Sequence, residues 1–438
     1  MRHRERSLSS EFVMKRSDLS PDQLRVYESM LDWVRTPSSP ILTVGGYAGS
    51  GKSTLLGLFA AETDLTVAYV SFTGRASSII GRKLNASGIE TTNRSCTDDD
   101  RKLDGYWGHM FYSPGDPEAD KPFCGTIHRL LYRPFIDSVT EELLGWEKRI
   151  ELDRDYDLIV IDEASMVDAK IVADIQAHGV RIMAVGDHGQ LPPVMSDGSL
   201  VSRPMLRLEK IHRQAEGSPI IKLSRAIREE GRMARELDDG DHLRFGERQH
   251  LTHPKLAELF RQNPLETAVL CWRNATRVHT NRLIRGHLGF SGQPPQRGEP
   301  VIALRNYPPI YNGMRGTLTE DATSPYKDEW WLMRAKIGFP DEGLEATDQD
   351  ICREQFHRSQ SFKSLDELKS AGINVHSMGA AGRPYDFGYA MTVHRSQGSQ
   401  FKHAVVVADW RQDYSQENTR RMAYTAVTRA TERLTVLV

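Results

Sequence analysis

The chain has 438 residues, too many for one hydrophobic core, and that length favours two or three domains. Hydrophobic residues make up 39%, charged residues 26%, and the formal net charge is −2, which is ordinary for a soluble globular protein. A protein that merely coats nucleic acid is usually basic, so this balance argues against that class while leaving room for a local positive groove. No apolar run approaches the roughly 20 residues of a membrane span, and the charged start MRHRERSLSSEFVMKRSDLS lacks the apolar core of a signal peptide.

Residues 1–18 read as an N-terminal extension, and Met14 can serve as the initiator, which leaves open whether residues 1–13 are native. In SPDQLRVYESMLDWVR at 20–35, apolar residues at Leu24, Tyr27, Met30, Leu31 and Val34 have helical spacing. Ser20 and Pro21 suit its N-cap and first position, and TPSSP at 36–40 breaks it. ILTV at 41–44 predicts a buried strand, 45–53 a loop, and TLLGLFAA at 54–61 a helix. A further strand is expected at 66–72 (TVAYVSF). The polar stretch 85–123 reads as an irregular insertion with aromatic residues Tyr106, Trp107, Phe111 and Tyr112. Order restarts at 125–135 (GTIHRLLYRPF), and strands follow at 158–162 (LIVID) and 181–187 (RIMAVGD). Strands alternating with helices predict a parallel, doubly wound α/β sheet.

A second α/β half follows. It has helices at 220–230 and 276–288, a strand at 267–272 (TAVLCW), strands at 387–394 and 403–409, a helix near 416–430, and a closing strand RLTVLV. A turn-rich β segment at 307–318, the strand DEWWLMRAKIG and a glycine-rich stretch at 360–383 interrupt it.

Gly46, Gly51, Lys52 and Ser53 in GYAGSGKST at 46–54 fit G-x-x-x-x-G-K-[ST] between a strand and a helix. In such a loop backbone N–H groups close around phosphates, a lysine reaches the β and γ oxygens, and the following hydroxyl ligates magnesium. Gly49, Ser50 and Thr54 complete the expected ATP-binding loop. Asp162 and Glu163 end a hydrophobic strand, where Asp162 can hold Mg2+ with Ser53 and Glu163 can accept a proton from the attacking water. A phosphate-binding loop alone fits kinases, GTPases, transporters and motors.

GDHGQLPPV at 186–194, together with DEAS at 162–165, resembles the superfamily 1 helicases, and further segments follow in that family's order. Gln23 in LSPDQLRVY resembles the adenine-reading glutamine. SFTGRAS at 71–77 and TIHRLL at 126–131 resemble segments that contact single-stranded nucleic acid. Arg213 in LEKIHRQ, AMTVHRSQGSQF at 390–401, Arg429 in YTAVTRA and NGMRGTL at 312–318 extend the series. The set is most similar to the branch containing RecD and the phage Dda helicases, over roughly residues 19–438. It departs from that branch at 85–123, and at SFT where Ala-Pro-Thr is usual.

The resemblance implies two RecA-like parallel-sheet motor domains. The first spans 19–200, with an insertion or pin near 85–156. The second comprises 201–306 and 384–438, and a small SH3-like β-barrel occupies 307–383. It implies catalytic roles for Lys52, Asp162, Glu163, Gln190, Arg213 and Arg429, with Gln397 and Gly398 also lining the ATP side. Thr73, His128, Asn274, Thr392, His394 and Ser396 become DNA contacts. Asn274 is also readable as a turn asparagine. A hairpin within 132–156, with Phe135 or Trp146 at its tip, is the expected pin, although that stretch is also readable as helix. Trp272 ends an apolar strand and is expected to pack in the core, and Trp330 and Trp331 in the β insertion.

The expected activity is ATP-dependent, 5′→3′ translocation on single-stranded DNA with duplex unwinding, by a monomeric motor acting at duplex junctions, with replication or recombination proteins as partners and no membrane. An RNA helicase, a DNA-stimulated remodeller and a nucleotide switch without turnover are the rivals. No acidic cluster with a nearby lysine outside the ATP site suggests a nuclease. Cys96, Cys124, Cys271 and Cys352 form no CxxC pair, which predicts free thiols in a reducing compartment, and the resemblance implies the cytoplasm of a bacterial cell or phage-infected host. A zinc site on Cys96, His109 and Cys124 matches no usual spacing.

Overall fold

The computed structural model describes residues 15–92, 121–136, 143–192, 199–210, 217–305, 307, 310–326, 328–410 and 416–438. Most of the expected 85–123 insertion, and Arg213, Cys96 and His109, lie outside them.

The first domain holds strands β1 (Ile41–Gly46), β2 (Val67–Ser71), β3 (Cys124–Thr126), β4 (Tyr132–Ile136), β5 (Leu143–Lys148), β6 (Leu158–Asp162), β7 (Arg181–Gly186) and β8 (Leu206–Leu208). Its helices are α1 (Pro21–Arg35), α2 (Lys52–Glu62), α3 (Gly74–Ala86), α4 (Ile127–Leu131) and α5 (Ala169–Gln176). Six strands form a sheet in the order β3-β2-β6-β7-β1-β8, parallel throughout. Both faces are apolar, as a parallel sheet covered by helices requires. Leu158 and Val160 of β6 point to the face covered by α1, α2 and α3. The alternate residues Ile159 and Ile161 point to the face covered by α4 and α5. Ser20 caps α1 by accepting from Gln23 N–H, with Pro21 in the first turn. β4 and β5 pair antiparallel as a separate hairpin, so this stretch is strand and not helix.

The second domain adds β9 (Leu243–Gly246), β10 (Thr267–Cys271), β11 (Pro300–Ala303), β12 (Arg315–Leu318), β13 (Leu332–Phe339), β14 (Leu344–Cys352), β15 (Tyr385–Phe387), β16 (Ala390–Thr392), β17 (Phe401–Val407) and β18 (Ala430–Leu437). Its helices include α6 (Pro219–Arg225), α7 (Pro254–Gln262), α8 (Asn274–Leu288), α9 (Leu365–Ser370) and α10 (Glu417–Val427). A parallel sheet runs β16-β10-β17-β18-β9. Ala404 and Val406 of β17 face one core, and Val405 and Val407 the other.

The third sheet is antiparallel, in the order β14-β13-β12-β11-β15. An Ile351–Arg383 bridge joins its two ends, so the sheet closes on itself and leaves little free edge. Two of its strands, Pro300–Ala303 and Tyr385–Phe387, lie outside the expected 307–383. The strand expected at 387–394 is in fact two. β15 completes the antiparallel sheet and β16 enters the parallel sheet, and the chain changes sheets at Gly388, whose N–H bonds Pro300 O.

Arg315 of β12 ties the antiparallel sheet to the parallel sheet of the second domain. Its buried guanidinium donates to the carbonyls of Leu265 (3.0 Å), Pro264 (2.9 Å), Thr267 (2.9 Å) and Gly388 (2.7 Å). Among the described residues no helix is long and apolar enough to cross a membrane. Arg315→Ala strips four carbonyls, two of them buried, of a charged donor and should lower stability by about 3 kcal/mol. Urea unfolding measures this, and a loss under about 1 kcal/mol would mean the carbonyls find other partners.

Candidate nucleotide site and nucleic-acid face

The first-domain site grows from the carboxyl ends of neighbouring parallel strands, where open α/β sheets place ligands. β1 runs into the glycine loop and then α2. Gly51 is the N-cap of α2, at φ 90° in the left-handed region, and a Cβ there would meet Gln23 Nε2 at 2.1 Å. Only glycine fits both demands. Gln23 is buried against this loop and donates to Ser50 O at 3.2 Å. Gly46 ends β1, and Gly49 lies in the loop that follows it. Lys52 Nζ donates to the carbonyls of Gly46 (2.8 Å) and Tyr47 (3.0 Å), and the Ser50 hydroxyl is buried with no partner among the described residues.

Asp162, the last residue of β6, pairs in register with Ser71 of β2 and is buried. Glu163 follows at φ 52°. Its Oε2 is buried without a hydrogen-bond partner among the described residues. Burial and the neighbouring Asp162 push its pKa up, while Arg429 and Lys52 pull the other way. A carboxylate poised above its ordinary range beside two cations is what a general base needs. Gln190 donates to Asp187 Oδ2 at 3.2 Å and keeps its buried Oε1 without a partner among the described residues.

The second domain completes this cleft of about 830 Å³. Gln23, Gly49, Gly51, Lys52, Ser53, Thr54, Asp162, Glu163 and Gln190 line it from the first domain, and Gly398, Gln400 and Arg429 from the second. Arg429 is buried and held by the carbonyls of Thr425 (3.1 Å) and Ser399 (3.2 Å). Gln397 donates to Leu191 O at 3.3 Å across the domain boundary. Gly398, at φ 73°, approaches α3 so closely that a Cβ would sit 3.2 Å from Ala76 Cβ. Tyr424 was not anticipated. Its hydroxyl donates to Asp187 Oδ2 at 2.9 Å and accepts from Ala48 N–H at 3.2 Å. Both partners are hundreds of residues away, so no local pattern marks it.

The expected nucleic-acid contacts fall at strand ends too. Thr73 follows β2 and caps α3 by accepting from Ala76 N–H at 3.2 Å. His128 on α4 has its ring 5.6 Å from Phe72 and 5.8 Å from Trp146, and burial lowers its pKa. Thr392 pairs with Cys271 at the ends of β16 and β10, and exposed Asn274 opens α8. The His394 ring lies 4.7 Å from Trp272.

Three expectations need correction. Ser396 is fully buried and its hydroxyl donates to Val393 O at 2.8 Å, so it holds its own loop and is no outward contact. Trp272 is 40% exposed, not packed in the core, because β10 ends at Cys271 and the ring passes beyond the sheet. Trp146 pairs with Pro134 within the hairpin, so it is not at the tip. The backbone of Phe135 pairs with Gly145, next to the turn. Trp330 and Trp331 meet edge to face at 6.1 Å in the barrel region, where Trp330 is 44% exposed. Cys124, Cys271 and Cys352 are buried free thiols; burial pushes Cys124 up to about 12 and Cys352 up to about 11.

An AAA domain model matches residues 18–248, and a UvrD-like helicase C-terminal domain model matches 387–437. The chain is 26% identical over 319 residues to the ATP-dependent RecD2 DNA helicase of Deinococcus radiodurans, covering 71% of this chain and 39% of that protein. It is 25% identical over 474 residues to the RecBCD enzyme subunit RecD of Mycobacterium tuberculosis, covering 95% of this chain and 71% of that subunit. The chain therefore spans well under half the length of the Deinococcus relative. A Pif1 helicase solved in a study of unwinding at forked duplex DNA shares the fold, with a TM-score of 0.54, 18% identity, and coverage of 95% of this chain and 91% of that one. A Bacteroides Pif1 helicase in complex with ADP-AlF3 and ssDNA gives a TM-score of 0.50, 16% identity, and coverage of 94% and 91%. With its AAA domain match over more than half its length and the helicase C-terminal match behind it, the chain belongs to the AAA domain family, as a superfamily 1 helicase of the RecD-like kind.

Proposed function

We propose that the chain is an ATP-dependent DNA helicase that translocates 5′→3′ on single-stranded DNA as a single-chain motor and opens duplexes at junctions. The observation that carries this reading is the divided cleft. Lys52, Ser53, Asp162 and Glu163 line it from one sheet, and Arg429 from the other. The names of the RecD2 and RecD relatives add support.

Ser53 and Asp162 offer the hard oxygen donors that Mg2+ takes, and both line the cleft. Bound there, the metal would neutralise charge on the phosphate oxygens. Gln23 borders the adenine end, Lys52 binds the phosphates, Glu163 takes the proton of the attacking water, Gln190 orients that water, and Arg429 stabilises the transferring phosphoryl group. Arg213 is the second arginine of this proposal. An arginine supplied by the other domain makes turnover depend on closure, and closure is the stroke along the strand.

Thr73, His128, Asn274, Thr392 and His394 form the strand path, contacting phosphate and sugar without reading sequence. Exposed Trp272 beside His394 is a stacking platform, worth about 1–3 kcal/mol per base. The β4–β5 hairpin serves as the pin that splits the duplex, and the closed antiparallel sheet as the SH3-like barrel, which takes in Pro300–Ala303 and Tyr385–Phe387 beyond 307–383.

If Glu163 is the base, it must be ionised, so turnover falls as pH drops through its raised pKa. Glu163→Gln should cut kcat by about 10²- to 10⁴-fold and erase that acid limb; a loss under about tenfold would remove the base role. Matched 5′-tailed and 3′-tailed duplexes test the direction. Unwinding of the 5′-tailed substrate alone is expected, and unwinding of the 3′-tailed substrate alone contradicts it. Streptavidin displacement without strand separation would make the chain a remodeller instead.

A further inference from the structure

The antiparallel sheet contributes one residue, Asp341, to the lining of the nucleotide cleft. The turn between β13 and β14, Pro340–Glu342, reaches the first domain at α3. Arg82 donates to the Asp341 carbonyl. Arg75 Nη2 lies 3.9 Å from Asp341 Oδ2, an ion pair longer than a hydrogen bond. Tyr311 fixes the docking from the other end. Its Cβ stands 2.4 Å from where a Cβ on Gly74 would be, and its hydroxyl accepts from Arg129 Nη1 at 3.2 Å.

The two charges that meet here are poorly satisfied. Arg75 is buried and its Nε has no hydrogen-bond partner among the described residues. Glu342 Oε2 is likewise buried and without a partner among them. A buried guanidinium is stable only with well-placed acceptors. Arg75 nevertheless lines the same cleft as Lys52, Glu163 and Arg429, and Asp341 lines it too. A carboxylate tip in a cleft for a polyphosphate repels that ligand, while the arginine beside it attracts it. A phosphate chain would offer Arg75 the fork-shaped acceptors that the tip does not.

Resting on the reading of the cleft as an ATP site, we propose that Arg75 is a further phosphate-contact residue and that the Asp341–Glu342 tip of the barrel competes with the nucleotide for it. Nucleotide entry then releases the tip from α3, and the barrel responds to the nucleotide state directly.

Titration of the full chain with a fluorescent ADP analogue and Mg2+ tests this. Asp341→Asn with Glu342→Gln should tighten binding by about fivefold, and Arg75→Ala should weaken it by about tenfold. In the Arg75→Ala background the tip substitutions should gain less than about twofold. Arg75→Lys, which keeps the charge and loses the fork, should fall between and covers a misfolded alanine variant. Hydrogen exchange at residues 339–345 of the wild type should rise when nucleotide is added. Unchanged affinity in the tip variant, or unchanged exchange, overturns the competition. A wild type that binds no nucleotide overturns the ATP-site reading as well, whereas wild-type binding that Lys52→Ala abolishes, with silent tip variants, overturns this inference alone.

Discussion

One hydroxyl connects the parts of this molecule on which everything else depends. Tyr424, on the last helix, donates to Asp187 at the end of β7 and accepts from Ala48 in the phosphate-binding loop. The contact is buried, where a lost partner costs about 1–3 kcal/mol. It fixes the loop of the first sheet against the final helix of the second. Arg429 leaves that same helix's C-terminal end and enters the cleft with Lys52 and Glu163. Leu191 N–H to Thr425 Oγ1 at 3.1 Å and Gln397 to Leu191 O at 3.3 Å run beside it. The nucleotide cleft is therefore a joint between two sheets.

This arrangement explains the chemistry placed at each side. The first domain contributes the phosphate loop, the carboxylates and the amide of Gln190, all at strand ends whose positions the parallel sheet holds rigidly. The second contributes Arg429, the charge that the proposed reaction draws on late. Glu163 shows how the two are linked: burial and Asp162 raise its pKa, and Arg429 from across the joint opposes the rise. The barrel adds a third party. Arg315 anchors it to the second domain through four carbonyls, and Arg82 and Tyr311 dock it on the first.

Much of this was legible from local patterns. LIVID at 158–162 is a strand with those limits, because five buried apolar or terminal residues leave no helical alternative of that length. The glycine loop was legible because its conformation is demanded residue by residue, as Gly51 shows. What was not legible depends on distance. FGYAMTVH reads as one strand, yet β15 and β16 belong to different sheets, and the change of partner at Gly388 leaves no trace in periodicity. Ser396 and Trp272 exchanged their expected environments for a similar reason, since burial at a strand end is decided by what packs beyond it. Nothing within SFTGRAS singles out Arg75, because its neighbours Asp341 and Glu342 arrive from a turn more than 260 residues away in sequence.

The claim at the centre is that Arg429 completes the site from the second domain and acts on the transition state. Arg429→Ala, measured for both nucleotide affinity and kcat in the presence of single-stranded DNA, tests it most directly. The account predicts a kcat lower by about 10³-fold or more, with nucleotide Kd changed by less than about fivefold. Equal losses in both would contradict it, and would make Arg429 a binding or structural residue.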